Sequence, residues 1–196
     1  MPYSASHKMK TRGRIVEAAR VLFNKNGFEK VTIDQIMEAS GLTRGGFYNH
    51  FQSKEALYSE AVDSFLMGRG AEWRKDAQVD SENPSIEAVR RMVLGYLSVE
   101  HLADVEGQCP MIALPSDVAR ANPSVQAAYQ RLLEAMVRLF QQGMSERQSK
   151  AREKALSLAA LCVGGMVLAR TIPDKNFAEE IRTAAQEMVE ELIGAL

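Results

Sequence analysis

The chain has 196 residues, 46% hydrophobic and 25% charged, with a formal net charge of −1, a composition that excludes whole-chain disorder. A chain of this length buries roughly 70% of its unfolded surface, enough for one domain, or a small one joined to a larger one, without staples. Cys109 and Cys162 make no disulfide framework, the opening residues lack the apolar run of a signal peptide, and no stretch reads as the ~20 apolar residues of a membrane span, so the expectation is a cytoplasmic protein without a membrane partner.

Helical periodicity dominates the chain, and the expected fold is all-α. Ile15, Ala18, Ala19, Leu22 and Phe23 form the apolar face of a first helix over residues 8–26, stopped at Lys25-Asn26-Gly27 with Gly27 suited to the left-handed cap. Thr32 and Gln35 have capping-box spacing and open a short helix that ends at Ser40-Gly41. Thr43 is expected to cap another short helix through Asn49, and Ser53 a longer one running to about residue 70. Asn83-Pro84 reads as the start of a helix reaching about residue 103, with residues 76–85 polar and irregular before it. Gly107, Pro110 and Pro115 permit only short or kinked helix, and Asn122-Pro123 starts a long one to about residue 144. Two more follow, from about 149 to 172 and from 174 or 176 to the end.

Charge is unevenly spread along this series. Residues 1–54 hold nine Lys and Arg against four Asp and Glu, net +5, and the remainder fifteen against twenty-one, net −6. A basic head suggests nucleic acid, and an acidic body argues against wrapping it. Within the head, two short helices joined by residues 39–43 after a longer one have the spacing of a helix-turn-helix. The second is poor in apolar residues, and its Thr43, Arg44, Gly46, Tyr48 and His50 either donate hydrogen bonds or leave room for close approach. That suits a major groove, where arginine contacts guanine bidentately. Lys54, beside the free amides of the next helix, is placed to hold a phosphate. Tyr48 and His50 could instead staple the neighbouring helices together. Phe23, Phe28, Phe47 and Phe51 are assigned to the small core.

Thr11-Arg12, Ile15, Ala18-Ala19, Leu22-Phe23, Gly27-Phe28, Val31-Thr32-Ile33, Gly41, Phe47-Tyr48, His50-Phe51, Lys54 and Leu57 together resemble the N-terminal signature of TetR-family transcriptional regulators over about residues 10–58. The Tyr-x-His-Phe-x-x-Lys run is its most specific part. The resemblance implies a DNA-binding domain over residues 1–55 and a helical effector-binding and dimerisation domain over 56–196. Thr43, Arg44 and Gly46 would then face bases and groove, and Thr32, Tyr48, His50 and Lys54 the phosphates. The implied function is that of a ligand-responsive repressor that binds a palindromic operator in double-stranded DNA as a homodimer and is released by a small apolar or aromatic effector. No cofactor, metal or catalysis is implied.

In the body, Ala155, Ala159, Cys162, Gly165 and Met166 lie on one helical face, and Phe177, Ile181, Ala184 and Met188 on a heptad-like stripe of the last helix. Pairing both with their two-fold mates would make a four-helix interface, although the faces could also pack within one subunit. An effector pocket is expected between the middle helices, with Phe65, Trp73, Met92, Tyr96, Cys109, Met111, Tyr129 and Leu133 as walls, and Met67, Leu97, Leu114 and Met136 as further candidates. Enzyme readings find no HExxH, CxxC, GxSxG or phosphate-loop pattern, and Gly68-Arg69-Gly70 fails as a dinucleotide fingerprint because Trp73 stands where a third glycine belongs. A purely protein-binding helical adaptor is disfavoured by the basic head. His101 reads as a surface residue. Cys109, ahead of Pro110, reads either as a helix-cap thiol of lowered pKa open to electrophiles or as a small buried hydrophobe, and Cys162 as inert.

Overall fold

A computed structural model describes residues 5–80, 83–144 and 148–194, and every regular element among them is helical. Residues 81–82 of the expected irregular stretch and residues 195–196 of the last helix lie outside the described residues. The order is α1 (Ala5–Asn26), α2 (Ile33–Ala39), a 3₁₀ helix (Arg44–Asn49), α3 (Lys54–Met67), α4 (Arg69–Asp76), α5 (Ile86–Tyr96), α6 (Val99–Ala103), α7 (Pro110–Ala113), α8 (Pro115–Arg120), α9 (Pro123–Gln142), α10 (Gln148–Thr171) and α11 (Lys175–Gly194).

Most boundaries follow from caps. Thr32 and Gln35 form the reciprocal capping box, Ser53 Oγ accepts from the Ala56 amide, and Asn122 accepts from Ser124 and Val125 with Pro123 in the first turn. Three boundaries depart from the sequence reading. Ser85, whose hydroxyl accepts from the Ala88 amide, caps α5 in place of Asn83, so Pro84 precedes the helix. Ser98 does the same for His101 and splits the expected 84–103 helix into α5 and α6. The long helix after Ser53 breaks at Gly68, leaving α3 and α4 as separate rods.

Two apolar clusters hold the helices. One gathers α5, α7, α9, α10 and α11 around Leu97, Phe140, Leu158 and Met166. The other gathers α1, α2, the 3₁₀ helix and α3 around Phe23, Phe47, Leu57 and Tyr58, and it also includes Leu114, Val118, Val125 and Ala128 from α8, α9 and the turn before them. Phe23, Phe47 and Phe51 are buried as expected, and Phe28 stacks on Tyr58 at 4.7 Å between centroids. The head therefore closes its core with residues of the body.

The α10 residues expected at a two-fold face point inward. Ala155, Ala159, Cys162, Gly165 and Met166 are buried within the single chain, and Gly165 lets α11 approach so closely that a Cβ there would lie 2.7 Å from that of Ala185. The small residues do admit a close partner helix, but that helix is α11 of the same subunit. Because α10 is apolar on nearly all sides, its sequence does not reveal which face turns in. By length and composition it could cross a membrane, contrary to the expectation that no stretch comes near a span; in the fold its apolar residues are central to the body core. The opposite side leaves Leu156 and Leu168 46% and 52% exposed, and α11 leaves Phe177 and Met188 50% and 45% exposed, with Ala184 exposed and Ile181 half-buried beside them.

Gly27 ends α1 at φ +77°, and a Cβ there would lie 2.9 Å from the Asp117 carboxylate, which accepts from the Phe28 amide. Gly27→Ala is expected to cost about 1–2 kcal/mol through the left-handed backbone alone, read as a lower urea midpoint with unchanged m-value.

Candidate nucleic-acid interface and body cavity

α2 ends in a Schellman turn: Leu42 N–H donates to Met37 O and Gly41 N–H to Glu38 O, both at 2.8 Å, with Gly41 at φ +69°. Arg14 secures the turn from α1 by donating to Ser40 O. The following segment is a 3₁₀ helix, and Thr43 makes no side-chain cap bond, contrary to the expected capped α-helix. Gly45-Gly46 and a missing cap leave little to drive α-helical winding. A Cβ at Gly45 would meet nothing within 4 Å and one at Gly46 only the Met37 methyl at 3.6 Å, and neither glycine has positive φ. The fold itself therefore does not require these glycines.

Phe47 anchors the segment in the core, while Thr43, Arg44 and Tyr48 face outward together with the cap residue Thr32. Arg44 Nη1 donates to Asp34 Oδ2 at 2.7 Å across an exposed pair, an interaction contributing about 0–1 kcal/mol. His50 is half-buried, its carbonyl accepts from Arg12, its Nδ1 is buried without a partner, and its pKa is lowered by burial and by the neighbouring Lys8 and Arg12. Lys54 departs most from expectation: Nζ donates to Phe28 O at 2.9 Å and Val31 O at 3.0 Å and lies 4.1 Å from the Phe28 ring. Two of its three donors tie the α1–α2 loop to α3, leaving one for a phosphate. Lys8, which the sequence reading passed over, lines the groove between α1 and the 3₁₀ helix with Thr43, Gly46 and His50.

In the body, a cavity of about 540 Å³ opens between α4, α5 and α6, and a narrow apolar cleft of about 70 Å³ shares with it the walls Trp73, Met92 and Tyr96. Of the expected walls, Phe65, Trp73, Met92, Tyr96, Cys109 and Met111 line the cleft, as does Met136. Tyr129 and Leu133 do not. The Tyr129 hydroxyl donates to Met111 O, and Leu132, one position from Leu133, takes the wall. Met67 is 80% exposed, and Leu97 and Leu114 belong to the two cores. Arg69, Arg74, Arg91 and His101 are walls that the sequence reading missed. Only Ser98, a cap signal ahead of His101, could have hinted at one of them.

Residues 15–61 match the model of bacterial regulatory proteins of the tetR family. The chain is 27% identical over 155 residues to the uncharacterized HTH-type transcriptional regulator YfiR of Bacillus subtilis, covering 78% of this chain and 75% of that one. It is 25% identical over 137 residues to the HTH-type transcriptional repressor DhaR of a Mycobacterium species, covering 70% and 67%. Residues 15–61 therefore carry the N-terminal helix-turn-helix signature of TetR-family transcriptional regulators. Solved structures agree on the fold: a TetR-family regulator from Cytophaga hutchinsonii superposes with a TM-score of 0.76 at 20% identity over 99% of this chain and 98% of that one, and reduced NemR of E. coli with 0.70 at 18% over 93% and 96%. Both of these curated relatives are named as transcriptional regulators.

One titratable group differs from the sequence reading, and for another the structure decides between the two readings left open. His101 is buried, not superficial: Nδ1 bonds Tyr96 O at 2.7 Å, Nε2 accepts from the Cys109 amide at 3.3 Å, and the ring stands edge-on to Trp73 at 4.0 Å. Those two bonds fix one neutral tautomer, and burial pushes its pKa down to about 4. Cys109 does hold the cap position ahead of Pro110, but α7 is a single turn and the thiol is buried, which pushes its pKa up to about 12 rather than down. The cap-thiolate reading is thereby overturned; Cys162 is buried and its pKa raised as well.

Brief maleimide treatment of the native protein, followed by mass spectrometry, is expected to leave both cysteines unmodified, and treatment in denaturant to label both. The stability that His101 contributes is complete above its ordinary pKa of 6.5 and lost as pH falls toward 4, about 3 kcal/mol in all. Urea midpoints should fall across that window more steeply in the native protein than in His101→Asn.

Proposed function

We propose that the protein is a ligand-responsive repressor acting in the cytoplasm, which binds a palindromic operator as a homodimer through residues 1–55 and takes its effector and its partner subunit through residues 56–196. Support for the DNA contact comes from the outward 3₁₀ segment, whose Thr43, Arg44 and Tyr48 are exposed and whose paired glycines serve no packing need of the fold. In this reading Thr43, Arg44 and Gly46 face the groove and Thr32, Tyr48, His50 and Lys54 the backbone. One short segment contacts too few bases for useful specificity, so two heads act together. The dimer face is the exposed apolar side of α10 and α11 with Leu156, Leu168, Phe177, Ile181, Ala184 and Met188.

A ligand in the body cavity reaches the head along α3, which carries Phe65 in the cleft wall and Leu57 and Tyr58 in the head core. A second path is direct: Cys109 lines the cleft while the adjacent Gln108 accepts from Asn24 of α1. Couplings of this kind are typically 1–3 kcal/mol, or 5–150-fold in DNA affinity.

Selection from random duplexes is expected to return palindromes with half-sites one helical turn apart or slightly more, bound with a steep salt dependence. Asymmetric or salt-insensitive binding would refute the reading. Arg44→Ala should relax preference at one base pair per half-site at a cost of about 1–3 kcal/mol, with stability unchanged. Lys54→Ala should weaken all duplexes alike and also destabilise the fold, because it frees two carbonyls. Leu168→Glu combined with Met188→Glu should sediment as a helical monomer and lose the palindrome.

A further inference from the structure

The cleft in the body is lined almost wholly by apolar side chains, and the charged group on its wall is Arg74. The Arg74 guanidinium donates to Leu66 O at 2.8 Å and has no carboxylate within ion-pair distance among the described residues, whereas Arg69, on the adjoining cavity, is paired with both Glu72 and Asp104. Burial with nothing to offset it lowers the Arg74 pKa. Tyr96, only 4% exposed and a wall of both cavity and cleft, has a buried hydroxyl that meets the weakly bonding Cys109 thiol and, among the described residues, no nitrogen or oxygen partner. Arg91, across the wider cavity, donates to Ala77 O and has no carboxylate within ion-pair distance among the described residues.

A half-buried cation without a counter-ion and a buried hydroxyl with only a thiol beside it are both costly unless something else completes them. We propose that this site takes an organic carboxylate: its apolar body lies between Phe65, Met136 and Leu139, Arg74 holds the carboxylate, and the Tyr96 hydroxyl donates to an oxygen of the same ligand. The guanidinium fork matches a carboxylate bidentately. A cation is disfavoured because a ligand seated in the cleft meets Arg74 first. Asp76 and Glu100 are exposed at the rim of the wider cavity, and Asp104 is already engaged by Arg69 and the Gly107 amide. The inference rests on the reading of this cavity as the effector site.

Trp73, the only tryptophan, packs edge-on against Phe65, Tyr96 and His101, so its fluorescence reads occupancy of the cleft directly. The full-length protein would be titrated with octanoate and 4-phenylbutyrate, with the amides of both, and with octyltrimethylammonium. The acids are expected to bind at least tenfold more tightly than the amides and to weaken operator binding. Arg74→Gln should bring the acids down to the level of the amides without changing amide affinity, and Arg74→Lys should restore part of the preference. Amides or the ammonium binding as tightly as the acids, or an acid preference that survives in Arg74→Gln, would overturn the carboxylate assignment and leave the effector site standing. Acids that bind through Arg74 without altering operator affinity would remove the effector role while keeping the carboxylate site. No response of Trp73 to any probe would refute both.

Discussion

Arg20, Asn24 and Arg170 converge on one stretch of the chain, residues 106–108, and this polar interlock fixes where the head points. Arg20 donates to Glu106 O and Asn24 to Gln108 O, each at 2.7 Å, while Arg170 binds the Gln108 side chain and, at 2.8 Å, Asn24 O. Arg20, Asn24 and Gln108 are buried, so each lost bond would leave a desolvated group worth about 1–3 kcal/mol. Beside it runs the apolar cluster in which Phe23 and Tyr58 share a core with Leu114, Val118, Val125 and Ala128. Across the boundary drawn in sequence at residue 55, the head and the body thus share both polar contacts and an apolar cluster.

That constraint makes residues 106–111 mechanically central. Gln108 belongs to the interlock and Cys109 and Met111 to the cleft wall, separated by no more than a residue or two of backbone. Cys109 is also held by His101, whose ring both accepts from the Cys109 amide and stands against Trp73. Packed and hydrogen-bonded side chains thus join Trp73 to the α1 contact, and under the proposed reading a displacement of Trp73 would pass along them in parallel with α3.

What the sequence made legible was what is local. Thr32 with Gln35, Ser53, and Asn122 with Pro123 act within one helical turn of themselves, and each caps as its spacing implies. The helix-turn-helix was readable for the same reason, because Gly41 and Phe47 do their work within a few residues. The failures are tertiary. His101 sits between acidic neighbours in sequence, and only the arrival of Trp73 and Tyr96 from other helices buries it. For Cys109 the cap position was readable but left two fates open, and the burial that decides for the packed hydrophobe is tertiary. Lys54 keeps the position of a phosphate ligand, and what its local sequence did not show is that the loop at 28–31 brings two carbonyls within its reach. The inward face of α10 could not be told from the outward one in a helix apolar nearly all round.

The exposed ion pair between Arg44 and Asp34 bears on how such a head would travel along DNA. Arg44 has a resting partner one helix away, so under the proposed reading it would stay docked on a duplex lacking the right base and add neither a clash nor an unpaired charge. Engagement of a guanine would then be an exchange of one acceptor for another, its net gain the difference between two hydrogen-bonded states. Sliding over unrelated sequence would stay smooth, and the penalty for a wrong base would be a gain that never arrives, which would keep the search fast and leave the dwell time to be decided at the operator.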